Sequence, residues 1–176
     1  MGNKAVFFDR DGVLNVDVHY LHKKEDFVWV DGAPEAVKYC NDHGYRVIVI
    51  TNQSGVARGY YTEQDVAALH DWMNEQLQQW GAHIDAFYYC PHHPQGTVLE
   101  YTRSCNCRKP ETGMIDLACR QESIDRRQAV FFGDAATDME CARRANIKGY
   151  HFQSGNLLQF VQSQLKKSGI AGKLKE

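Results

Sequence analysis

Arg46-Val47-Ile48-Val49-Ile50-Thr51-Asn52 is the stretch on which the fold turns. Four β-branched residues follow one another without a polar break. Strict alternation marks a strand with one wet face, so a run without it belongs to a strand covered on both faces, as in a parallel sheet packed between helices. Ala5-Val6-Phe7-Phe8 is a second such run and stops abruptly at charged residues. Ala86-Phe87-Tyr88-Tyr89, Ala129-Val130-Phe131-Phe132 and the short Gly149-Tyr150-His151-Phe152 read as further strands.

Helical patterns fill the gaps. Pro34 suits a first helical turn, and the pattern through Cys40 ends at Gly44. Thr62-Glu63-Gln64-Asp65 has the capping-box form and opens a long amphipathic helix that Gly81 closes. A helix is expected near Met114 to Gln121, another from a second capping box at Thr137-Asp138-Met139-Glu140, and a last one over Leu157 to Leu165, after which the Lys-rich end should fray. Strands alternating with helices predict a three-layer α/β/α fold with a mostly parallel, Rossmann-like sheet. No repeat or linker calls for a second domain, so residues 1–176 are expected to form one.

Composition narrows the partners. The chain has 176 residues, 43% of them hydrophobic, enough for a substantial core, and a formal charge of −2. The longest basic runs are the pairs Lys23-Lys24 and Lys166-Lys167, so neither nucleic acid nor an anionic membrane is expected as partner. The start, Met1-Gly2-Asn3-Lys4, carries no long apolar leader, no segment is apolar enough to span a bilayer, and Val6 stands where a myristoylation signal wants Ser or Thr. A cytoplasmic monomer acting on a small ligand is the expectation.

In open α/β sheets, ligands bind outside the carboxyl ends of the strands. Asp9-Arg10-Asp11-Gly12 follows the first strand, Thr51-Asn52-Gln53-Ser54-Gly55 the second, and Gly133-Asp134, with Asp138 beyond, the fourth. Carboxylates gathered in this way repel unless a cation sits among them, and oxygen ligands suit Mg²⁺. A phosphate brought to that ion could be met by the Thr51 hydroxyl, by amides around Asn52 and Ser54, and by Lys109. Singly, each element has a plainer reading: Asp-x-Asp as a solvated turn, Lys109 as a loop lysine, Asp138 as a carboxylate favouring a helix N-terminus. Asp138 is expected to be structural.

The turn-rich stretch 90–110 is too polar and too punctuated for helix or strand. It is framed by Cys90-x-His92 and Cys105-x-Cys107, three thiols and an imidazole, the donor set of a closed structural zinc site, with His93 as a competing imidazole. Cys40, Cys119 and Cys141 fall at helical positions among apolar residues and are expected to be core fillers.

Asp9-x-Asp11, Thr51, Lys109 and Gly133-Asp134-x-x-x-Asp138, in this order, resemble the four motifs of haloacid dehalogenase superfamily phosphatases. The resemblance implies Asp9 as nucleophile, Asp11 as acid and then base, Thr51 and Lys109 at the phosphoryl group, and Mg²⁺ on Asp9, Asp134 and the backbone carbonyl of Asp11. Within the superfamily, the segments Tyr89-Cys90-Pro91-His92-His93-Pro94-Gln95-Gly96, Cys105-x-Cys107-Arg108-Lys109-Pro110 and Asn52-Gln53-Ser54-Gly55-Val56-Ala57-Arg58-Gly59 resemble the D-glycero-D-manno-heptose 1,7-bisphosphate 7-phosphatases. That family implies His92 rather than His93 as zinc ligand, a zinc loop in place of a large cap domain, and removal of the 7-phosphate in the supply of heptose for lipopolysaccharide. It also implies that Asp17, Val18, His19, Tyr20, Asn52, Gln53, Ser54, Arg108 and Ala135 border the substrate. His19 replaces a glycine common in the family, and Ala135 stands where Lys or Arg is frequent.

Two rivals remain. Histidinol-phosphate phosphatases share the zinc ligands, with a shorter loop, and Ala136-Thr137-Asp138 resembles them more closely. A receiver-type signalling module also uses aspartates, Thr and Lys at strand ends, but does without an acid such as Asp11. A zinc-ribbon binding nucleic acid would need a more basic face than Arg103, Arg108 and Lys109 supply.

Overall fold

A computed structural model of the chain describes residues 2–169. Its elements, in chain order, are β1 (Asn3–Phe8), α1 (Ala33–Asp42), β2 (Arg46–Asn52), α2 (Glu63–Leu77), β3 (Ala86–Cys90), α3 (Gly113–Gln121), β4 (Ile124–Gly133), α4 (Ala136–Arg144), β5 (Lys148–His151) and α5 (Leu157–Ser168). The five strands form one sheet in the order β3-β2-β1-β4-β5, and every pairing is parallel. The chain therefore reverses its direction of winding at β1. Phe7 pairs with Ile48 on one side and Phe131 on the other, which puts β1, and Asp9 after it, at the switch point where such folds bind ligands.

Unbroken apolar strands are explained by cover on both faces. Val6, Phe8, Val47, Val49, Val130 and Phe132 pack against Val37 of α1, Met73 and Leu77 of α2, and Leu157, Val161 and Leu165 of α5. Ala5, Phe7, Ile48, Ile50, Ala129 and Phe131 pack against Met114, Ile115 and Ala118 of α3 and Cys141 and Ala142 of α4. Neighbouring residues of each central strand thus serve opposite layers, and burial of each Phe side chain stabilises the fold by roughly 1.5–3 kcal/mol. The three-layer expectation holds. Cys40 and Cys141 are buried, as core fillers should be, and Cys119 is half-buried.

Local signals mostly read true. Thr62 Oγ1 accepts from the Asp65 amide while the Asp65 carboxylate accepts from the Thr62 amide, closing the capping box, and Gly81 takes the left-handed conformation after a short 3₁₀ turn. The second box is corrected. Helix α4 starts at Ala136, so Ala135 and not Thr137 is the N-cap residue, and the Asp138 carboxylate accepts from the amides of Asp134 and Ala135, both at 3.1 Å. Glu140, the expected partner in that box, instead pairs with Arg143 and Arg144. Strand β4 also begins earlier than its apolar run, because Ile124 pairs with Asn3 before an irregularity in the ladder. No helix among the described residues is long and apolar enough to cross a membrane. The expected fraying beyond residue 169 lies outside the described residues.

Candidate active site

Strands β1, β2 and β4 deliver their following residues to one cavity of about 300 Å³. Asp9 and Asp11 come from β1, Thr51, Asn52, Gln53 and Ser54 from the end of β2, and Asp134, Ala135 and Asp138 from the turn into α4. Lys109 reaches the same cavity from the loop after β3. Asp17, His19 and Tyr20 line its mouth. Val18 and Arg108, also expected at the substrate, are not in its lining; Val18 is exposed.

Lys109 is the electrostatic centre. Only 4% of it is exposed, and Nζ lies 2.9 Å from Asp9 Oδ1, 2.7 Å from Asp138 Oδ1 and 3.1 Å from the Ile50 carbonyl. Burial alone would push the ammonium down, but Asp9 and Asp138 outweigh it and hold Lys109 above the ordinary lysine range. Asn52 clamps its backbone, with Oδ1 accepting from the Lys109 amide at 2.9 Å and Nδ2 donating to the Lys109 carbonyl at 3.2 Å. Asp138 is thus more than a helix-terminal carboxylate: it fixes the turn after β4 with one oxygen and the cation with the other.

One cation does not neutralise this site. Carboxylate oxygens of Asp9, Asp134 and Asp138 all lie within 4.8 Å of one another. Burial pushes Asp9 well above the usual carboxylate range, Lys109 opposes the shift, and Asp138 and Asp11 add to it. Asp134 is raised too, by burial first and then by Asp138. Crowded oxygens that resist ionisation are a charge arrangement completed by a hard cation, so this donor set fits Mg²⁺. The chain also makes room for it at backbone level. Gly12 has φ +87°, and a Cβ there would stand 2.0 Å from Asp134 Oδ2, so only glycine lets β1's loop pass this close to the carboxylate.

Asp11 is treated differently. Its side chain turns to Arg10, Asn15 and Gln53, with Nη2 of Arg10 at 3.0 and 3.1 Å, Asn15 Nδ2 at 3.0 Å and Gln53 Nε2 at 3.1 Å. Two carboxylates two residues apart therefore have separate surroundings, one facing a cation site and one held by neutral and guanidinium donors. Gln53 is itself committed to the protein: Nε2 also donates to Thr51 Oγ1 at 2.8 Å and Oε1 accepts from Tyr61 Oη at 2.5 Å. His19 and Tyr20 have φ of 59° and 55°, left-handed backbone that glycine adopts freely, with the His19 amide bonded to Asp17 Oδ1 at 2.9 Å. That conformation accounts for the glycine usual at this position.

The loop after β3 gathers a second cluster. Cys90 Sγ lies 3.5 Å from Cys105 Sγ and 3.1 Å from Cys107 Sγ, Cys105 and Cys107 are 3.4 Å apart, and His92 Nδ1 is 3.6 and 3.4 Å from Cys90 and Cys107. A tetrahedral ion with bonds of about 2.3 Å to sulfur sets such edges at roughly 3.8 Å, so the four atoms form a slightly contracted cage of a geometry compatible with zinc. His93 stands outside it, with Nε2 3.4 Å from Arg58 Nη2. Arg58 Nε and Arg108 Nη1 are buried without a hydrogen-bond partner among the described residues, and neither guanidinium is paired with a carboxylate there.

Three residues of the site escaped the sequence reading. Arg10, given no role by its sequence context, is fully buried. His70 and Tyr61 stand behind Arg10 and Gln53. For His70 a signal existed, since Val66, Leu69, Met73 and Leu77 are spaced to put it on the buried face of α2.

Comparison with known proteins accords with this geometry. Residues 4–164 match the model of the family described as polynucleotide kinase 3 phosphatase. D-glycero-beta-D-manno-heptose-1,7-bisphosphate 7-phosphatase of Haemophilus ducreyi is 44% identical over 84% of this chain and 81% of its own. The D-glycero-alpha-D-manno-heptose-1,7-bisphosphate 7-phosphatase of Photorhabdus laumondii is also 44% identical, over 82% and 79%. The solved D,D-heptose 1,7-bisphosphate phosphatase of B. bronchiseptica, complexed with magnesium and phosphate, has a TM-score of 0.77 and 30% identity, covering 98% of this chain and 89% of the other. With its motifs at the ends of β1, β2 and β4 and these relatives along most of its length, the chain belongs to the polynucleotide kinase 3 phosphatase family, in the branch of the heptose-1,7-bisphosphate 7-phosphatases.

Proposed function

We propose that this phosphatase removes the 7-phosphate of D-glycero-D-manno-heptose 1,7-bisphosphate through a phospho-aspartate on Asp9. The observation that carries the reading is Asp9 facing Lys109 at 2.9 Å in a cavity that Asp11, Thr51 and Asp134 also enter. An Asp9 oxygen attacks phosphorus, the bond from phosphorus to the sugar oxygen breaks, and Asp11 gives that oxygen its proton. Asp11 then takes a proton from the water that attacks the phospho-aspartate, and inorganic phosphate leaves. Splitting one slow hydrolysis into two displacements is the gain of covalent catalysis. Lys109 and the Thr51 hydroxyl meet the charge on the transferring group. Mg²⁺, held by Asp9, Asp134 and the Asp11 carbonyl, would neutralise the crowded oxygens and orient the phosphate.

Zinc on Cys90, His92, Cys105 and Cys107 is proposed as structural, since a four-residue cage leaves no open position, and it would hold the loop that carries Lys109. Residues 1–176 are read as one domain of a cytoplasmic monomer. Substrate contacts by Asp17, His19, Tyr20 and Ser54 are supported by their lining of the same cavity, to which Ala135 offers no charge. A heptose bisphosphate is favoured over histidinol phosphate by the 44% identical relatives, which are heptose-1,7-bisphosphate 7-phosphatases. Turnover of the heptose bisphosphate against histidinol phosphate, with magnesium present, tests the assignment. Faster hydrolysis of histidinol phosphate would overturn it. Absence of a phosphorylated protein after quenching would overturn the covalent step.

A further inference from the structure

Arg10 is fully buried and stands in the chain between Asp9 and Asp11, its amide donating to Asp9 Oδ1 at 2.8 Å and its guanidinium facing Asp11. Nε and Nη2 face Asp11 at 3.0–3.1 Å, Nη2 also donates to the Leu21 carbonyl at 2.9 Å, and Nη1 lies 3.3 Å from His70 Nε2. Nε2 can accept there only if the imidazole is neutral with its proton on Nδ1. Burial, and then the Arg10 charge, push His70 down to about 3, and its ring is stacked on Phe87 at 4.3 Å, so the acceptor is held ready.

A buried ion pair is a poor way to stabilise a fold, because desolvating both charges offsets their attraction. What it does well is fix direction. The guanidinium fork sets the plane of the Asp11 carboxylate, while Asn15 and Gln53 hold it from two other sides. Through the Leu21 carbonyl the same fork touches the far end of the segment carrying Asp17, His19 and Tyr20 at the cavity mouth. We propose that Arg10, backed by His70, is a positioning residue that aims Asp11 at the oxygen of the leaving group and links that aim to the 17–21 segment. The proposal rests on the reading of Asp11 as the acid.

Leaving groups separate this role from a purely structural one. A sugar alkoxide needs a proton as it departs; p-nitrophenolate does not. The experiment compares kcat/KM, which reports steps through departure of the leaving group, on heptose bisphosphate and p-nitrophenyl phosphate. It uses the magnesium-loaded wild type and Asp11→Asn, Arg10→Met, His70→Leu and His70→Gln. Arg10→Met should lose about 100-fold on the sugar ester, the scale of a misplaced catalytic group, and about twofold on the aryl ester. His70→Leu should show a smaller loss with the same bias, and His70→Gln, whose carbonyl can still accept from Nη1, should recover it. Equal losses on both esters in the His70 variants would overturn the positioning role, even if Arg10→Met fails to fold. Equal losses in Asp11→Asn would instead overturn Asp11 as the acid.

Discussion

Lys109→Met removes one charge and keeps an apolar stem of similar length, so it isolates what the ammonium does. Asp9 and Asp138, at 2.9 and 2.7 Å from Nζ, and the Ile50 carbonyl at 3.1 Å are left without their donor. Stranding one partner of a buried ion pair costs about 3–5 kcal/mol. For a domain of this size that is a fall in Tm of about 6–20 °C. The cost should depend on pH, and the sign follows from Asp9. Its folded form is raised above the unfolded carboxylate, so the fold takes up protons there, and stability is lost as pH rises from about 4. Without Lys109 the opposing attraction is gone, Asp9 rises further, and the penalty grows toward alkaline pH. Urea unfolding of metal-free wild type and variant at pH 5.5 and 8.5 measures it. A penalty equal at both pH values, or below about 1 kcal/mol at pH 8.5, would refute a buried bridge between two carboxylates.

The remaining expectations are simpler. Magnesium at about 100 times its Kd should stabilise the fold by about 2.7 kcal/mol, and less at pH 5 than at pH 8, because the raised Asp9 and Asp134 must lose protons to bind it; thermal melts with and without the ion check this, and Asp134→Asn should abolish the shift. Asp9→Asn should leave the fold intact and reduce phosphate release to background, measured as inorganic phosphate with circular dichroism as control. Cys105→Ser opens the four-atom cage, so zinc content and Tm should fall together; one zinc per chain retained in that variant would show a different ligand set.

Where the sequence was legible, one residue type served one environment. Val47 to Ile50 can only be a doubly covered strand, and Cys90, His92, Cys105 and Cys107 share a metal's preferences whatever the loop does. Where it was not, a side chain acts at a distance that spacing does not encode. Arg10 carries no sign of burial in the sequence because burying a guanidinium is rare, and only Asp11, His70 and the Leu21 carbonyl, 1, 60 and 11 residues away, make it tolerable. Asp138 has both of its jobs for the same reason: the bond to the Ala135 amide is local and readable, whereas the contact with Lys109 is made across the sheet. Thr137 misled because a hydroxyl before acidic residues satisfies the capping pattern without being the cap. Val18 and Arg108 were carried over with the stretches around them, and the cavity lining omits both.

The strand order sets the sequence in which the site can come apart. Asp9 follows the central strand, flanked on both sides, whereas Lys109 is tethered through the Cys/His loop to β3, an edge strand bonded only to β2. Native proteins open from their edges inward, and edge elements exchange amide protons first. Asp9 and Lys109 therefore hang on strands of different standing, one central and one at the edge of the sheet. Heat or chelation should release Lys109 while the sheet around Asp9 persists, so that inactivation precedes melting and reverses when the loop redocks.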